Sequence, residues 1–280
     1  MPATALQGIT HACFGLSYLL ALVCELARLW RPVNWLRPVG IFAGSAGLLA
    51  HTLYLVYHHP SPAEPYAAVL LVAWVIAVFS LYGTLHHQRQ QWAIFVWPVV
   101  VGLVGLSLAL LTGTTETTMP TWILGDRQWG IIHGILLLLA AVGVTVCFLS
   151  GMMYLVQSAR VRNKSNPLGS FRLLSLERLE DMNRRAVNLT FPLLSAGLIL
   201  GGVLLRQTHN LPMNWLSVKV LGTTGLWIVC LLLLYLRYSH SVSARRLAWL
   251  SVFAFALTII VLAATHPFVP SLVPVAGGES

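Results

Sequence analysis

Charged side chains are scarce in this chain of 280 residues. Asp, Glu, Lys and Arg together make up 9% of it, and hydrophobic residues make up 57%. Soluble domains carry about 25% charged residues, so the composition excludes an ordinary water-soluble protein and indicates a lipid bilayer as the solvent. The excess of Lys and Arg over Asp and Glu, 17 against 8, is dispersed among short loops. We therefore expect no nucleic acid partner, which would need a concentrated basic patch.

The chain also lacks the motifs of common enzymes and transporters. It has no Walker-type phosphate loop, no HExxH, no GxSxG and no pair of aspartates. No acidic residue lies in the middle of an apolar run, so a proton relay or a cation pathway is hard to build. The four cysteines form no CxxC pair and are typical of small apolar packing residues. We expect a protein that is not an enzyme.

What the chain does contain is eight apolar runs that are each long enough to cross a bilayer, which takes about 20 residues. They cover approximately residues 8–30, 39–59, 66–86, 91–112, 129–157, 186–206, 213–237 and 246–268. Lipid cannot satisfy exposed backbone groups, so each run is expected to be a helix. The sequence predicts an all-α, polytopic membrane protein with a single transmembrane domain over residues 1–280.

Lys and Arg concentrate in alternate loops. The connections after the first, third, fifth and seventh runs carry fourteen of them, whereas the other connections carry only Arg127 and Arg206. Cytoplasmic loops carry the excess of Lys and Arg. The pattern predicts a multi-pass protein of the inner (plasma) membrane, with both termini on the outer, periplasmic side.

The longest polar connection, about 158–185, is predicted to end in a short amphipathic helix at about 175–186 on the cytoplasmic surface. Ser175 is a suitable N-cap, and Glu180–Arg184 and Asp181–Arg185 have the i,i+4 spacing of helical ion pairs. A surface connector attracted to anionic lipid is the simpler interpretation. A partner-binding helix is the alternative.

Four histidines lie inside or at the end of apolar runs: His11, His51, His133 and His266. Titratable side chains in spanning segments are rare and are functional candidates. In the predicted topology all four lie in the outer half of the bilayer, at depths that differ by about one helical turn. We expect two pairs, His133 with His266 and His11 with His51. The alternative for each histidine is an interhelical hydrogen bond without a ligand.

Each pair can ligate a haem iron, because haem needs axial imidazoles, an apolar slot and cations for its propionates. Arg127 lies just before His133, Arg206 lies at the start of the predicted outer loop between the sixth and seventh runs, and Lys219 lies near the outer end of the seventh. The sequence predicts a haem b site with His133 and His266 as the metal ligands and these three cations near the propionates. Snorkelling to the outer surface is the alternative for Lys219.

Several stretches resemble the cytochrome c assembly family that contains CcsA and CcmC, above all its HemX-like branch. Residues 174–194, LSLERLEDMNRRAVNLTFPLL, followed by the glycine-rich AGLILGG at 196–202, are similar to that branch's short helix and the entry into its sixth span. Residues 218–227 resemble the segment after its outer tryptophan-rich loop, and Arg245 with Arg246 resembles the basic turn that ends it. The resemblance covers nearly the whole chain.

The resemblance implies a protein of cytochrome c biogenesis that handles haem at the outer face, where a tryptophan-rich loop lies between two outer histidines. His133 and His266 flank this loop as the pattern requires. Only Trp215 remains near the place of the motif tryptophans, and no aspartate follows it. The resemblance further implies a membrane partner of the CcsB type. Two other functions stay open: a haem-free scaffold or regulator of haem biosynthesis, and a haem-bearing electron-transfer subunit of a respiratory complex.

Overall fold

The structure is a computed structural model that describes residues 10–30, 33, 35–60, 64–86, 92–111, 127–163, 174–207, 218–239 and 242–264. These residues form eight helices, each long and apolar enough to cross a membrane. The helices are α1 (His11–Trp30), α2 (Leu36–His58), α3 (Pro65–His86), α4 (Ala93–Leu111), α5 (Arg127–Asn163), α6 (Leu176–Gln207), α7 (Val218–Tyr238) and α8 (Ala244–Ala263). The predicted all-α class and the eight spans are confirmed; the side on which the termini lie stays a prediction.

The helices pack as two groups of four. Helices α1–α4 share one hydrophobic core, which includes Phe14 and Trp97, and α5–α8 share a second, which includes Leu194 and Leu233. Helix α5 also contributes Met153 to the first core, and α8 contacts α3. The two groups are therefore joined through α5 and α8, and both histidine sites described below lie between neighbouring helices of this bundle.

Helices α5 and α6 are longer than the bilayer requires. Helix α5 has 37 residues and α6 has 32, which correspond to about 55 and 48 Å at the usual rise per residue, against a hydrocarbon core of about 30 Å. The predicted connector helix at 175–186 is thus not a separate element. It is the first part of α6, since no glycine or proline interrupts the chain between Leu176 and the spanning segment until Pro192.

The observed N-cap and ion pairs of this segment agree in part with those predicted from the sequence. The Ser175 hydroxyl accepts a hydrogen bond from the backbone N–H of Arg178 at 3.3 Å, so Ser175 is the N-cap. Arg185 pairs with Asp181 at 2.8 Å as expected. Arg184 was expected to pair with Glu180 but pairs with Asp181 at 2.6 Å instead, because both i,i+3 and i,i+4 partners lie within reach on a helix.

Candidate functional sites

The facing surfaces of α1 and α2 hold a buried pair of histidines. His51 is fully buried in α2, and His11, the first residue of α1, is 7% exposed. The Nε2 atoms of both rings are buried and have no hydrogen-bond partner among the described residues. The structure therefore brings the predicted pair together, and one nitrogen of each ring is buried without a hydrogen-bond partner among the described residues.

Aromatic side chains surround both histidines. The ring of Phe14 lies parallel to that of His51, with centroids 4.4 Å apart and an interplanar angle of 6°, and it also contacts His11 at 5.5 Å. Tyr54 packs edge-on against His11 at 4.6 Å. His11 and Phe14 are three residues apart in α1, as are His51 and Tyr54 in α2. Residues at this spacing lie on the same face of a helix, so the four rings meet in one cluster. The surroundings are apolar, as a haem slot would require.

A tyrosine orients His51. The hydroxyl of Tyr18 lies 3.2 Å from His51 Nδ1, and both side chains are fully buried. Gly47 allows this approach, because a Cβ there would lie 2.9 Å from the ring of Tyr18. Histidines that bind metals usually engage their second nitrogen in a hydrogen bond of this kind, which fixes the ring and directs the other nitrogen at the metal. When Nδ1 donates to Tyr18, the lone pair of Nε2 is the free one.

His133 lies seven residues into α5 and packs on α6. Its Nδ1 lies 2.9 Å from the backbone carbonyl of Gly197. A carbonyl oxygen can only accept, so Nδ1 carries the hydrogen, and in a neutral imidazole the lone pair then belongs to Nε2. The ring rests on Gly201, where a Cβ would lie 2.8 Å from Cε1 of His133. The glycines of α6 thus hold the ring in the tautomer that a metal ligand needs.

Lys219 lies at the start of α7, against the end of α8. It is partly buried in the first turn of α7, and its ammonium donates a hydrogen bond of 3.4 Å to the carbonyl of Ala264. Gly222 brings α7 and α8 together here, since a Cβ on it would lie 2.7 Å from Val261. The end of α8 and the start of α7 therefore pack closely together.

The other predicted site residues are described only in part. His266 and Trp215 lie outside the described residues, so the predicted ligation by His133 and His266 stays a prediction; the described chain ends at Ala264, beside Lys219. Arg127 and Arg206 belong to helices α5 and α6, but their side chains are outside the described part. Between described side chains, no ring contact or hydrogen bond joins His133 to His11 or His51. The structure thus has two separate candidate sites.

Neither site is a multi-ligand metal cage. Within the described ranges, no group of three or more His, Cys, Asp or Glu could hold a metal ion. A structural zinc ion takes four protein ligands, whereas a haem iron takes at most two, because the macrocycle supplies the rest.

One polar cluster in the structure was not predicted from the sequence. Asn183 is 4% exposed, and its amide nitrogen donates to Cys147 O, Ser150 Oγ and Ser251 Oγ at 2.8 to 3.2 Å. Its oxygen accepts a 2.6 Å hydrogen bond from Arg237 Nη2, so one side chain links α5, α6, α7 and α8. Asn183 lies four residues after the buried Leu179, on the same face of α6. A polar residue on the buried face of a helix was the signal in the sequence that could have predicted this cluster.

Comparison with known proteins finds one matching family model and a curated relative. The family model described as "Cytochrome C assembly protein" matches residues 63–265, from just before α3 to just after α8. A protein of Guillardia theta named "Cytochrome c biogenesis protein CcsA" is 21% identical over 213 residues, which cover 70% of this chain and 69% of that protein. No solved structure matches.

The matched range contains one of the two candidate sites. It contains His133, Lys219 and the network around Asn183, whereas His11 and His51 precede it. The α1–α2 histidines are therefore a feature of this chain that the family model does not cover. Because that model spans well over half of the residues, the chain belongs to the cytochrome c assembly protein family.

Proposed function

We propose that this protein binds haem b near the outer face of the inner membrane and passes it on during cytochrome c biogenesis. Membership of the cytochrome c assembly family supports the role in biogenesis. The observation that carries the haem proposal is the hydrogen bond of 2.9 Å between His133 Nδ1 and Gly197 O. It leaves Nε2 as the ligating atom and orients the ring, as metal-binding histidines require.

The residues at this site fit the chemistry of haem. His133 would hold the haem iron through its free ring nitrogen, and His266 is the proposed second ligand. Lys219 is a partly buried ammonium whose described hydrogen-bond partner is a neutral carbonyl, so its charge favours an anionic neighbour such as a propionate. Arg127 and Arg206 are the further cations proposed for this role, and Trp215 is proposed to pack against the haem edge.

The haem iron, when bound, supplies the redox chemistry, and the side chains only hold and orient the group. The proposed role is therefore transfer or storage of haem rather than catalysis. His11 and His51 form a second candidate haem site with two unpartnered buried Nε2 atoms. A membrane partner of the CcsB type would receive the haem together with apocytochrome.

The test is the absorbance spectrum of the protein purified in detergent. We expect a Soret band that survives washing, that is lost in His133→Ala and His266→Ala, and that is kept in His59→Asn. His59 is the matched control, because it is exposed and has φ 43°, a conformation that asparagine also tolerates. His133→Gln keeps a hydrogen-bond donor for Gly197 O but removes the imidazole. Loss of haem in this variant would therefore show that His133 acts as a ligand and not only as a packing residue.

Other outcomes would point to other functions. A folded protein without a Soret band in any redox state would contradict the haem proposal and favour the haem-free scaffold. Reversible reduction of the bound haem by quinol would favour an electron-transfer subunit. Loss of the band in His11→Ala and His51→Ala, with the band kept in His133→Ala, would move the haem site to the α1–α2 cluster.

A further inference from the structure

The carbonyl of Ala264 lies at the end of α8. Helix α8 ends at Ala263, and Ala264 is its C-cap, with φ −73° and ψ 140°, so the chain leaves the helix there in an extended conformation. The N–H of Ala264 still donates to Ile260 O at 3.0 Å. The last four carbonyl groups of a helix have no partner within the helix, and an unbonded carbonyl is costly next to lipid. The carbonyl of Ala264 therefore needs a donor from another helix.

Lys219, in the first turn of α7, supplies this donor. Its ammonium donates to the carbonyl of Ala264 at 3.4 Å, and the side chain is partly buried. The hydrogen bond is long, but its donor carries a full charge and lies at the C-terminal end of α8, where the helix macrodipole is negative. A partly buried cation at this end stabilises a helix more than an exposed one does. Lys219 thus holds the end of α8.

Two glycines of α7 bring the backbones of α7 and α8 together. A Cβ on Gly222 would lie 2.7 Å from Val261, and a Cβ on Gly225 would lie 3.6 Å from Leu257. The contacts advance along α7 while they return along α8, as expected of antiparallel helices. In order they are Lys219–Ala264, Gly222–Val261 and Gly225–Leu257. The place of Lys219 beside Ala264 therefore follows from backbone packing and does not depend on the lysine side chain alone.

The end of α8 limits where the second proposed haem ligand can lie. His266 follows Ala264 by two residues, and two residues span at most about 7 Å. Covalent geometry thus keeps the Cα atom of His266 within about 7 Å of that of Ala264. A ligating side chain must be held to within about 0.5 Å of its working position. A shift of the end of α8 would therefore move the ligand out of place.

We propose that Lys219 is a positioning residue for His266. Its ammonium holds the carbonyl of Ala264, which fixes the end of α8 and so determines where the ligand-bearing segment begins. This role acts through the backbone of α8 and is separate from the neutralisation of a propionate. It rests on the proposed function, because it needs His266 as a ligand, but the hold of Lys219 on α8 does not depend on haem.

The first experiment needs no haem. Hydrogen–deuterium exchange of the haem-free protein in detergent measures the opening of α8 at residues 257–264. Lys219→Met removes the donor and the charge, and it should speed this exchange about 2- to 30-fold, the factor that corresponds to the usual effect of a cation at a helix C-terminus. Lys219→Arg keeps both and should restore slow exchange. Arg245→Met is the matched control, because it removes an exposed cation from the other end of α8, and it should leave this exchange unchanged.

Gly222→Ala tests the same contact from the backbone. Its Cβ would push α7 away from Val261 without changing a charge, so it should speed the exchange in the same direction as Lys219→Met. It decides the matter if Lys219→Met does not fold. Unchanged exchange in the folded variants would overturn the positioning role alone.

The second experiment measures ligation in the haem-loaded protein by absorbance and EPR spectroscopy. Two axial imidazoles give a low-spin spectrum, and a single one gives a high-spin spectrum. We expect a low-spin spectrum for the unchanged protein and for Lys219→Arg, and a partial change to high spin in Lys219→Met and Gly222→Ala. Weaker haem binding by Lys219→Met with a fully low-spin spectrum would show that the ammonium serves only a propionate, and would overturn the proposal. A missing Soret band or a high-spin spectrum in the unchanged protein would contradict the proposed ligation by His133 and His266, and the positioning role with it.

Discussion

Replacing Gly201 by alanine tests the geometry of the His133 site without touching the histidine. A Cβ at position 201 would lie 2.8 Å from Cε1 and 3.3 Å from Nδ1 of His133. Carbon atoms in contact rest about 3.5–4.0 Å apart, so the imidazole must move by about 0.7 Å or more. The hydrogen bond from Nδ1 to Gly197 O, now 2.9 Å, would then reach the limit of hydrogen-bond distance.

The expected cost follows from three contributions. Overpacking costs about 1–3 kcal/mol, and the weakened hydrogen bond about 1 kcal/mol. Alanine regains about 1 kcal/mol over glycine in a helix. We therefore expect Gly201→Ala to lower the free energy of unfolding by about 1–3 kcal/mol. Because changes in the groups that orient a metal-binding histidine reduce metal affinity about 10–100-fold, haem affinity should fall by a similar factor.

The assay is a haem titration followed at the Soret band, together with thermal unfolding of the haem-free protein. Gly202→Ala is the matched control on the neighbouring residue, since a Cβ there meets nothing within 4 Å. It should leave both quantities unchanged or raise the stability slightly. If Gly201→Ala is as stable and binds haem as tightly as the original protein, the contact between His133 and α6 does not orient the ligand and the reasoning fails.

Three further changes test other parts of the structure by thermal unfolding in detergent. Tyr18→Phe removes the hydroxyl that bonds to the fully buried His51, so we expect a loss of about 1–3 kcal/mol; unchanged stability would mean that the pair is not formed. Asn183→Ala removes the link between α5, α6, α7 and α8 and should cost about 3 kcal/mol, with a cost below about 1 kcal/mol arguing against the network. Gly83→Ala places a Cβ on the ring of Trp92, so we expect it to lower the free energy of unfolding by about 1–3 kcal/mol. Gly102→Ala is the control, because a Cβ there meets nothing within 4 Å, and it should be neutral. Equal stability of the two variants would contradict the packing of α3 on α4.

The helical architecture followed directly from composition. In lipid, an apolar run of about 20 residues satisfies its own backbone hydrogen bonds as a helix. The eight predicted spans agree with the eight helices of the described residues. Glu25 pairs with Arg28, three residues later in α1, with both carboxylate oxygens 2.9 Å from Nη1. Contacts within one helix turn depend on spacing alone, so sequence is sufficient for them.

Contacts between helices were predicted less well. His11 and His51 were expected to form a pair, and both rings contact Phe14, because adjacent helices joined by a short loop lie side by side. The sequence did not indicate that Tyr18 would bond to His51, nor that His133 would bond to a backbone carbonyl of α6. Both depend on the rotation of each helix about its axis, which apolar residues on all sides leave undetermined.

The sequence by itself determined the membrane class and the number of spans, because these depend on local hydrophobicity and on distance along the chain. Only the tertiary structure decided that Nδ1 of His133 carries the hydrogen and that four helices meet at Asn183. Those properties depend on hydrogen bonds between side chains and backbone groups of helices that are distant in sequence. In an apolar bundle, small residues such as Gly197 and Gly201 decide which helices approach closely enough for such bonds.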